Sequence, residues 1–391
     1  MPLQYATTFR KRRARLKMVD NMTRRQRRFL RRNAKRMERR NAFLVKYDDF
    51  DIVCNRKNLF EAADEAKKNV MWKASVQHWS ISQLLRTEQL FRDLKAEKDV
   101  RKGFSKFSIR ERGKVRNISA VRFYERVVQK CLCQKVLYPV FTRSLLYDNS
   151  ASQVGKGVKF ANDRLVTHLR RHYKKHGNDG YALLVDFKGY FENINHQKAK
   201  ENSREHLSDK KLLKLIDDFI DAYGVCGLGL GSETSQVHAI AYPNKIDHFI
   251  TENNYGQKLF AGRYMDDSYV IAKDKSTLCK VLDHLKKMCQ NLKIKLSPKK
   301  TMIVRLKDGI KWLKTKFFLL ANGKIIKKPC HNSIVWERKK LKKQLKLLND
   351  GAMSLAQLKQ SFESWAGSMK RRNARLSVWK MRQLIWSNKY E

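Results

Sequence analysis

Five apolar residues, Tyr181–Val185, run without a break into Asp186, in a chain whose flanking segments space their apolar residues helically. A short unbroken apolar run suits a strand buried on both faces. The middle of the chain must therefore hold a sheet covered by other elements. About 80 residues further on, Asp266 and Asp267 stand between two strand-like runs, Lys258–Tyr264 and Ser268–Ala272, joined by a very tight turn. Adjacent carboxylates at a hairpin tip repel each other unless a cation compensates them. If this hairpin lies beside the 181–185 strand, Asp186 meets the pair. The alternative is a solvated Asp-Asp turn, with Asp186 capping a helix.

Charge bears on that choice. The chain of 391 residues has 86 Lys+Arg and 37 Asp+Glu, a formal net charge of +49. This is too large an excess for a typical enzyme of small metabolites. It predicts a polyanionic partner, nucleic acid first and an anionic membrane second. Hydrophobic residues at 42% and aromatics at 10% provide for a real core. No apolar run approaches the 18 or more residues of a membrane span. The N-terminus is basic from Arg10 onward and lacks the apolar stretch of a signal peptide. Seven scattered cysteines show neither a CxxC pair nor zinc spacing, which favours reduced thiols in a cytoplasmic setting.

Residues 1–40 hold 16 Lys+Arg against two acids. Such a density repels itself unless phosphates are near, so Arg24, Arg25, Arg27 and Arg28 are expected to contact RNA. Residues 41–100 read as helical. A strongly amphipathic helix is expected over 121–140, stopped near Pro139, with others over 160–176, about 198–222 and 276–292. Strands are expected over 301–306 and 311–320, with a turn at Asn322-Gly323. From 331 onward the chain is helical and basic on one face. The fold class is α+β.

Hard divalent ions suit a few carboxylates, a backbone oxygen and substrate phosphates. Asp186, Asp266 and Asp267, with the backbone of Phe187, therefore form a candidate two-metal site for in-line phosphoryl transfer. Here the residues become recognisable. Arg263-Tyr264-Met265-Asp266-Asp267 resembles the catalytic motif of reverse transcriptases. The segment from Leu184 to His196, LVDFKGYFENINH, resembles the first catalytic motif of bacterial members of that family, and the resemblance extends over roughly 100–375. It implies a right-hand polymerase fold with fingers (41–180), a palm with an antiparallel sheet (181–325) and a helical thumb (326–391), preceded by the basic N-terminal extension (1–40). It implies two Mg²⁺ ions, with Mn²⁺ as an alternative.

The resemblance carries further residues with it. Gly113–Ile118 resembles the fingers segment that holds the incoming triphosphate; Lys114 and Arg116 alternate on one face of an extended segment there. Phe191 stands where such polymerases place a bulky side chain under the sugar, a wall against a 2′-hydroxyl; the plainer reading is a core Phe. Leu228–Gln236 resembles the nucleotide-pocket motif. Most relatives have Gln where Leu230 stands and Pro where Gln236 stands. The form here, an aliphatic residue, Gly231, three residues and Ser235-Gln236, is similar to that of diversity-generating retroelements, whose enzymes err opposite template adenines. Lys300 in Leu296–Thr301 matches the Lys near the leaving pyrophosphate, where it acts as general acid or electrostatic support. Trp312 lies in a segment similar to the hairpin that positions the primer end. Residues 361–367 resemble thumb helices of the same retroelement enzymes, with Lys370, Arg371 and Arg372 on a phosphate-contacting face.

The implied activity is RNA-directed DNA synthesis, by the error-prone enzyme of a diversity-generating retroelement. The implied partners are a template RNA, the RNA/cDNA duplex, dNTPs and a small basic accessory protein, in a bacterial or phage-encoded ribonucleoprotein with no membrane, for which the resemblance allows an oligomer. Two alternatives stand beside it: a reverse transcriptase of an anti-phage defence system, and a non-catalytic RNA-binding or maturase-like protein.

Overall fold

The computed structural model describes residues 38–39, 41–111, 114–253 and 255–387; within these the side chains of Glu111 and Lys114 are not described. The arginine-rich arm, with Arg24, Arg25, Arg27 and Arg28, lies outside the described residues. Three helices, α1 (Arg56–Lys67), α2 (Ala74–Ile81) and α3 (Gln83–Lys95), occupy the region expected to be helical. Asn55 caps α1 by accepting from the Asn58 N–H. An antiparallel hairpin follows, β1 (Phe104–Glu111) paired with β2 (Lys114–Val121) over its full length.

The amphipathic helix begins as expected at α4 (Phe123–Leu132) but does not stop at Pro139. It passes through a π turn, Cys133–Leu137, into α5 (Tyr138–Ser144), where Pro139 occupies the first turn. Proline needs no intrahelical acceptor for its nitrogen in a first turn, and the π turn accommodates its ring. The basic helix α6 (Val158–His176) then leads into the central sheet.

That sheet is four-stranded and antiparallel, ordered β4 (Phe260–Tyr264), β5 (Asp267–Ala272), β3 (Tyr181–Asp186), β6 (Met302–Arg305). Leu183 and Val185 point into one core, with Val270 and with Leu278, Val281 and Leu285 of the helix Lys275–Asn291. Ala182, with Tyr269 and Ile271, points into a second core, with Ala161, Leu165 and Leu169 of α6. Both faces are covered, which is why the β3 sequence is continuously apolar rather than alternating.

Between β3 and β4 lie α7 (His196–Arg204), α8 (Lys210–Asp221), α9 (Glu233–Ala241) and α10 (Asn244–Glu252). The single helix expected at 198–222 is two, because Asp209 caps a new start by accepting from the Leu212 N–H. With Lys275–Asn291 as α11, the chain continues into a second sheet, β7 (Ile310–Trp312), β8 (Thr315–Leu319) and β9 (Ile325–Pro329). The β8–β9 turn falls at Asn322-Gly323, and Gly323 takes a φ of +78° with the Tyr173 ring too close for a Cβ.

Three helices, α12 (His331–Asn349), α13 (Leu355–Met369) and α14 (Arg375–Ser387), enclose their own core of Leu341, Leu345, Leu358, Phe362, Trp365, Met369, Met381 and Ile385. Ser354 and Gln357 form a capping box at the start of α13. The chain is thus α+β with the antiparallel sheet and helical flanks of a right-hand polymerase. Among the described residues no helix is long and apolar enough to cross a membrane.

Candidate active site

The pairing register of the central sheet assembles the acids. β3 and β5 run antiparallel with Val185 opposite Ser268 and Asp186 opposite Asp267. β4 and β5 close on Tyr264 opposite Asp267, leaving Met265 and Asp266 as a two-residue loop. Only Met265 of the two has a positive φ, +54°. That is the pattern of a loop whose first central position ordinarily takes glycine, so a methionine there is held against its preference. Asp186, Asp266 and Asp267 therefore share one end of the sheet.

Lys300 joins them from a third segment. The loop before β6 runs beside the end of β3: the Lys188 N–H donates to the Lys295 carbonyl at 2.7 Å, and the Ser297 N–H to the Asp186 carbonyl at 2.8 Å. Phe187 forms an isolated bridge with Leu296. This places the Lys300 ammonium 2.5 Å from Asp186 Oδ1. Asp186 is buried, whereas the Lys300 side chain is more than half exposed.

Electrostatically the cluster is short of positive charge. Burial raises the Asp266 carboxyl above its ordinary range, and the neighbouring Asp186 charge adds to the rise. Asp267 is pushed up to about 7 by burial, then by Asp266 and Asp186. Burial alone would lower the Lys300 ammonium, but its bond to Asp186 and the charges of the three acids raise it. Among the described residues, no three or more His, Cys, Asp and Glu side chains already converge as an ion cage. The donor set nevertheless fits a hard divalent cation: carboxylate and backbone oxygens only, with protonation favoured where positive charge is lacking.

Residues expected from the sequence to line a nucleotide pocket meet at a second place. The Leu228 N–H donates to the Phe191 carbonyl at 2.7 Å, and the Ser119 N–H of β2 to the Leu230 carbonyl at 3.0 Å. Phe191, Leu230 and β2 thus meet through their backbones. Gly231 has a φ of +114°, and a Cβ there would stand 3.2 Å from Ile118 Cγ2 and from the Ser119 carbonyl. Glycine is required by both the backbone angle and the approach of β2. Gly229 has no such backbone angle, but a Cβ there would run into the Tyr223 ring. Phe191 is half-buried, its ring edge-on to Tyr190. Arg116 is exposed on β2, Lys114 opens that strand, and Gln236 is exposed in the first turn of α9.

One expected position is corrected. Trp312 was expected at a nucleic-acid surface, but it is 3% exposed and packs edge-on against Tyr269, with ring centroids 4.8 Å apart. Its indole fills the core between β7 and the central sheet, so it offers no face to a base. Lys370 and Arg371 are exposed in the turn after α13, whereas Arg372 is half-buried with Nη1 beside the Met369 sulfur. Asn373 pins this turn to β9, donating its N–H to the Lys327 carbonyl.

A buried polar chain behind this loop was not expected from the sequence. Ser232 caps α9 and donates to Gln129 Oε1 at 2.8 Å, and Gln129 Nε2 donates to Glu125 Oε1 at 2.8 Å. Helix α4 thereby fixes the start of α9, and with it Leu230 and Gly231. Only the amphipathic pattern of α4, with two polar residues on its buried face, could have signalled it.

A family model described as reverse transcriptase (RNA-dependent DNA polymerase) matches residues 100–317, more than half of the chain. A search of curated proteins finds no match. Similar solved structures include telomerase from Candida albicans in complex with a fragment of telomeric RNA. It is 13% identical, covering 74% of this chain and 55% of that one, with a TM-score of 0.47. Apo telomerase from Candida tropicalis, truncated from its C-terminal domain, is 16% identical, covering 57% and 54%, with a TM-score of 0.46. The chain spans about half the length of these structures. By the matched family model, which spans both strands bearing the carboxylates, the chain belongs to the reverse transcriptase family.

Proposed function

We propose that the chain is an RNA-directed DNA polymerase that copies a template RNA into cDNA by two-metal nucleotidyl transfer. The observation that carries this is the β3–β5 register, which sets Asp186 opposite Asp267 beside Asp266 and Lys300. Asp186, Asp266, Asp267 and the Phe187 backbone oxygen would hold two Mg²⁺ ions, or Mn²⁺, which supply an activated primer hydroxyl and a stabilised leaving oxygen. Lys300, kept as a charged ammonium at Asp186, provides positive charge and a proton beside the leaving pyrophosphate. Lys114 and Arg116 bind the triphosphate, and Leu230, Gly231 and Gln236 shape the pocket. Residues 41–180 act as fingers, 181–325 as palm and 326–391 as thumb, with Lys370, Arg371 and Arg372 on the duplex backbone and residues 1–40 on RNA. A small basic accessory protein completes a cytoplasmic ribonucleoprotein.

Phe191 is the sugar gate in this reading. Its half-buried ring, tied by its own carbonyl to the pocket loop, supports that role. Phe191→Ala should raise rNTP use relative to dNTP. An unchanged ratio in steady-state incorporation would make Phe191 a packing residue only.

Within polymerases of this type, we assign the chain to the error-prone class of diversity-generating retroelements. The pocket sequence supports it: a Leu at 230 cannot hydrogen-bond an incoming nucleotide, so right and wrong nucleotides differ less in transition-state stabilisation. One lost hydrogen bond is worth about 0.5–1.5 kcal/mol, roughly a 2- to 12-fold loss of discrimination. Leu230→Gln should lower the error rate by that order. cDNA copied from a defined template containing all four bases is the test. Errors concentrated opposite adenines support the assignment, and a low, base-independent rate favours the anti-phage defence class.

A further inference from the structure

The guanidinium of Arg263 is 2% exposed, under the catalytic turn rather than on the basic surface. Its Nε donates to Asp247, 2.7 Å from Oδ1 and 2.9 Å from Oδ2. Asp247 sits in the first turn of α10 and is itself buried. Nη1 of Arg263 reaches the carbonyl of Met265 at 3.4 Å. Met265 is the residue with the positive φ between Tyr264 and Asp266. The guanidinium also stands 4.9 Å over the ring of Phe187, the residue after Asp186. The Arg263 backbone is clamped as well: its N–H donates to the Asp148 carbonyl and its carbonyl accepts from the Ser150 N–H.

A buried ion pair is a poor source of stability, because desolvating two charges offsets their attraction; apolar replacements of similar volume are often neutral or stabilising. What this pair does have is position. It touches the loop that carries Asp266 and Asp267 and the residue that follows Asp186, so one planar group joins the two halves of the carboxylate set. Arginine suits this because its fork can serve an acid and a carbonyl while its face covers an aromatic ring.

We infer that Arg263, anchored by Asp247, is the positioning residue of the carboxylate site, holding the Met265 carbonyl and the Phe187 ring so that the three acids face a common cation. The inference rests on the reading of Asp186, Asp266 and Asp267 as ligands of a divalent ion. Groups in this outer layer of a metal site typically contribute 10- to 100-fold in affinity or activity.

The test uses the full chain and Mn²⁺ alone as probe, with binding followed by electron paramagnetic resonance and Asp266→Asn as the baseline. Arg263→Met combined with Asp247→Leu removes both charges together. This paired variant should melt within a few degrees of the wild type and keep its RNA affinity. Its Mn²⁺ binding should weaken by about 10- to 100-fold. In single-nucleotide incorporation its kcat should fall by a similar factor, with KM for dNTP unchanged. A folded paired variant with wild-type Mn²⁺ affinity overturns the inference, as does a wild type that binds Mn²⁺ no better than Asp266→Asn. Should the paired variant not fold, Arg263→Lys decides. It keeps the charge but not the fork, so a loss of several-fold in Mn²⁺ affinity supports the role and an unchanged affinity overturns it. A wild type that binds Mn²⁺, loses it in these variants and yet extends no primer would refute the polymerase reading while leaving the positioning role intact.

Discussion

Asp266→Asn should abolish dNTP incorporation on an RNA template while leaving RNA affinity nearly intact. The two effects separate because they reside in different residues. In the proposed reading, nucleotidyl transfer depends on charge at one end of the central sheet, where Asp266 shares a loop with Met265 next to the Asp186–Asp267 pair. RNA affinity, in the same reading, rests on many Lys and Arg contacts spread over a chain of net charge +49. Asparagine preserves the shape of the loop but removes one of three negative charges that a divalent ion needs. A loss of about 10²- to 10³-fold or more in rate is expected from removing transition-state charge stabilisation of this kind. Asp186→Ala should behave alike. Salt-dependent RNA binding measured beside primer extension checks both halves, and normal cDNA synthesis by either variant would remove the acids from the active site.

The second large effect concerns stability. The Asp267 carboxyl is pushed up to about 7 in the folded chain, against an ordinary 3.8. Between these values the folded state binds more protons than the unfolded state, so stability falls as pH rises from about 4 to about 7. With metal chelated, the melting temperature should therefore decline across that window. Asp267→Asn cannot ionise and should flatten the decline, standing above the wild type at pH 8. A rise of this size is worth on the order of 1–4 kcal/mol, the lower figure allowing for relaxation and water entry. Saturating Mg²⁺ should recover much of the loss in the wild type and little in the variant, since only the wild type offers the full ligand set. Identical pH profiles for the two proteins would show that Asp267 is not held under repulsion. Such a cost to stability fits the proposed role of the three acids in holding a cation.

What was readable in the sequence follows from which physical signals are local. The β3 strand was legible because helices cover both faces of the sheet, so every residue from Tyr181 to Val185 is apolar. The Asp-Asp loop was legible because two strand-like runs flank it with no room for a longer connection. The β1 strand was not: Phe104–Glu111 mixes Phe107 and Ile109 with Ser, Lys106 and Arg110 and lies largely exposed, so no buried apolar face marks it. Pro139 misled because a proline in mid-pattern normally ends a helix, and only the preceding π turn lets it begin another. Trp312 misled because alternating cations and apolar residues describe a half-buried strand as well as a nucleic-acid surface. Its burial against Tyr269 depends on a strand of the other sheet, some 40 residues earlier in the chain. The Arg263–Asp247 pair was invisible for a similar reason. The residues are 16 apart, on a strand and a helix, and nothing in either segment reveals that they meet.

Primer extension by the wild-type chain, purified with its co-bound RNA, on an RNA template with a DNA primer, four dNTPs and Mg²⁺, should yield template-length cDNA that disappears with chelator. Tight RNA binding with no extension in Mg²⁺ or Mn²⁺ would contradict the polymerase reading and identify the chain as an RNA-binding protein that keeps a polymerase fold without its chemistry.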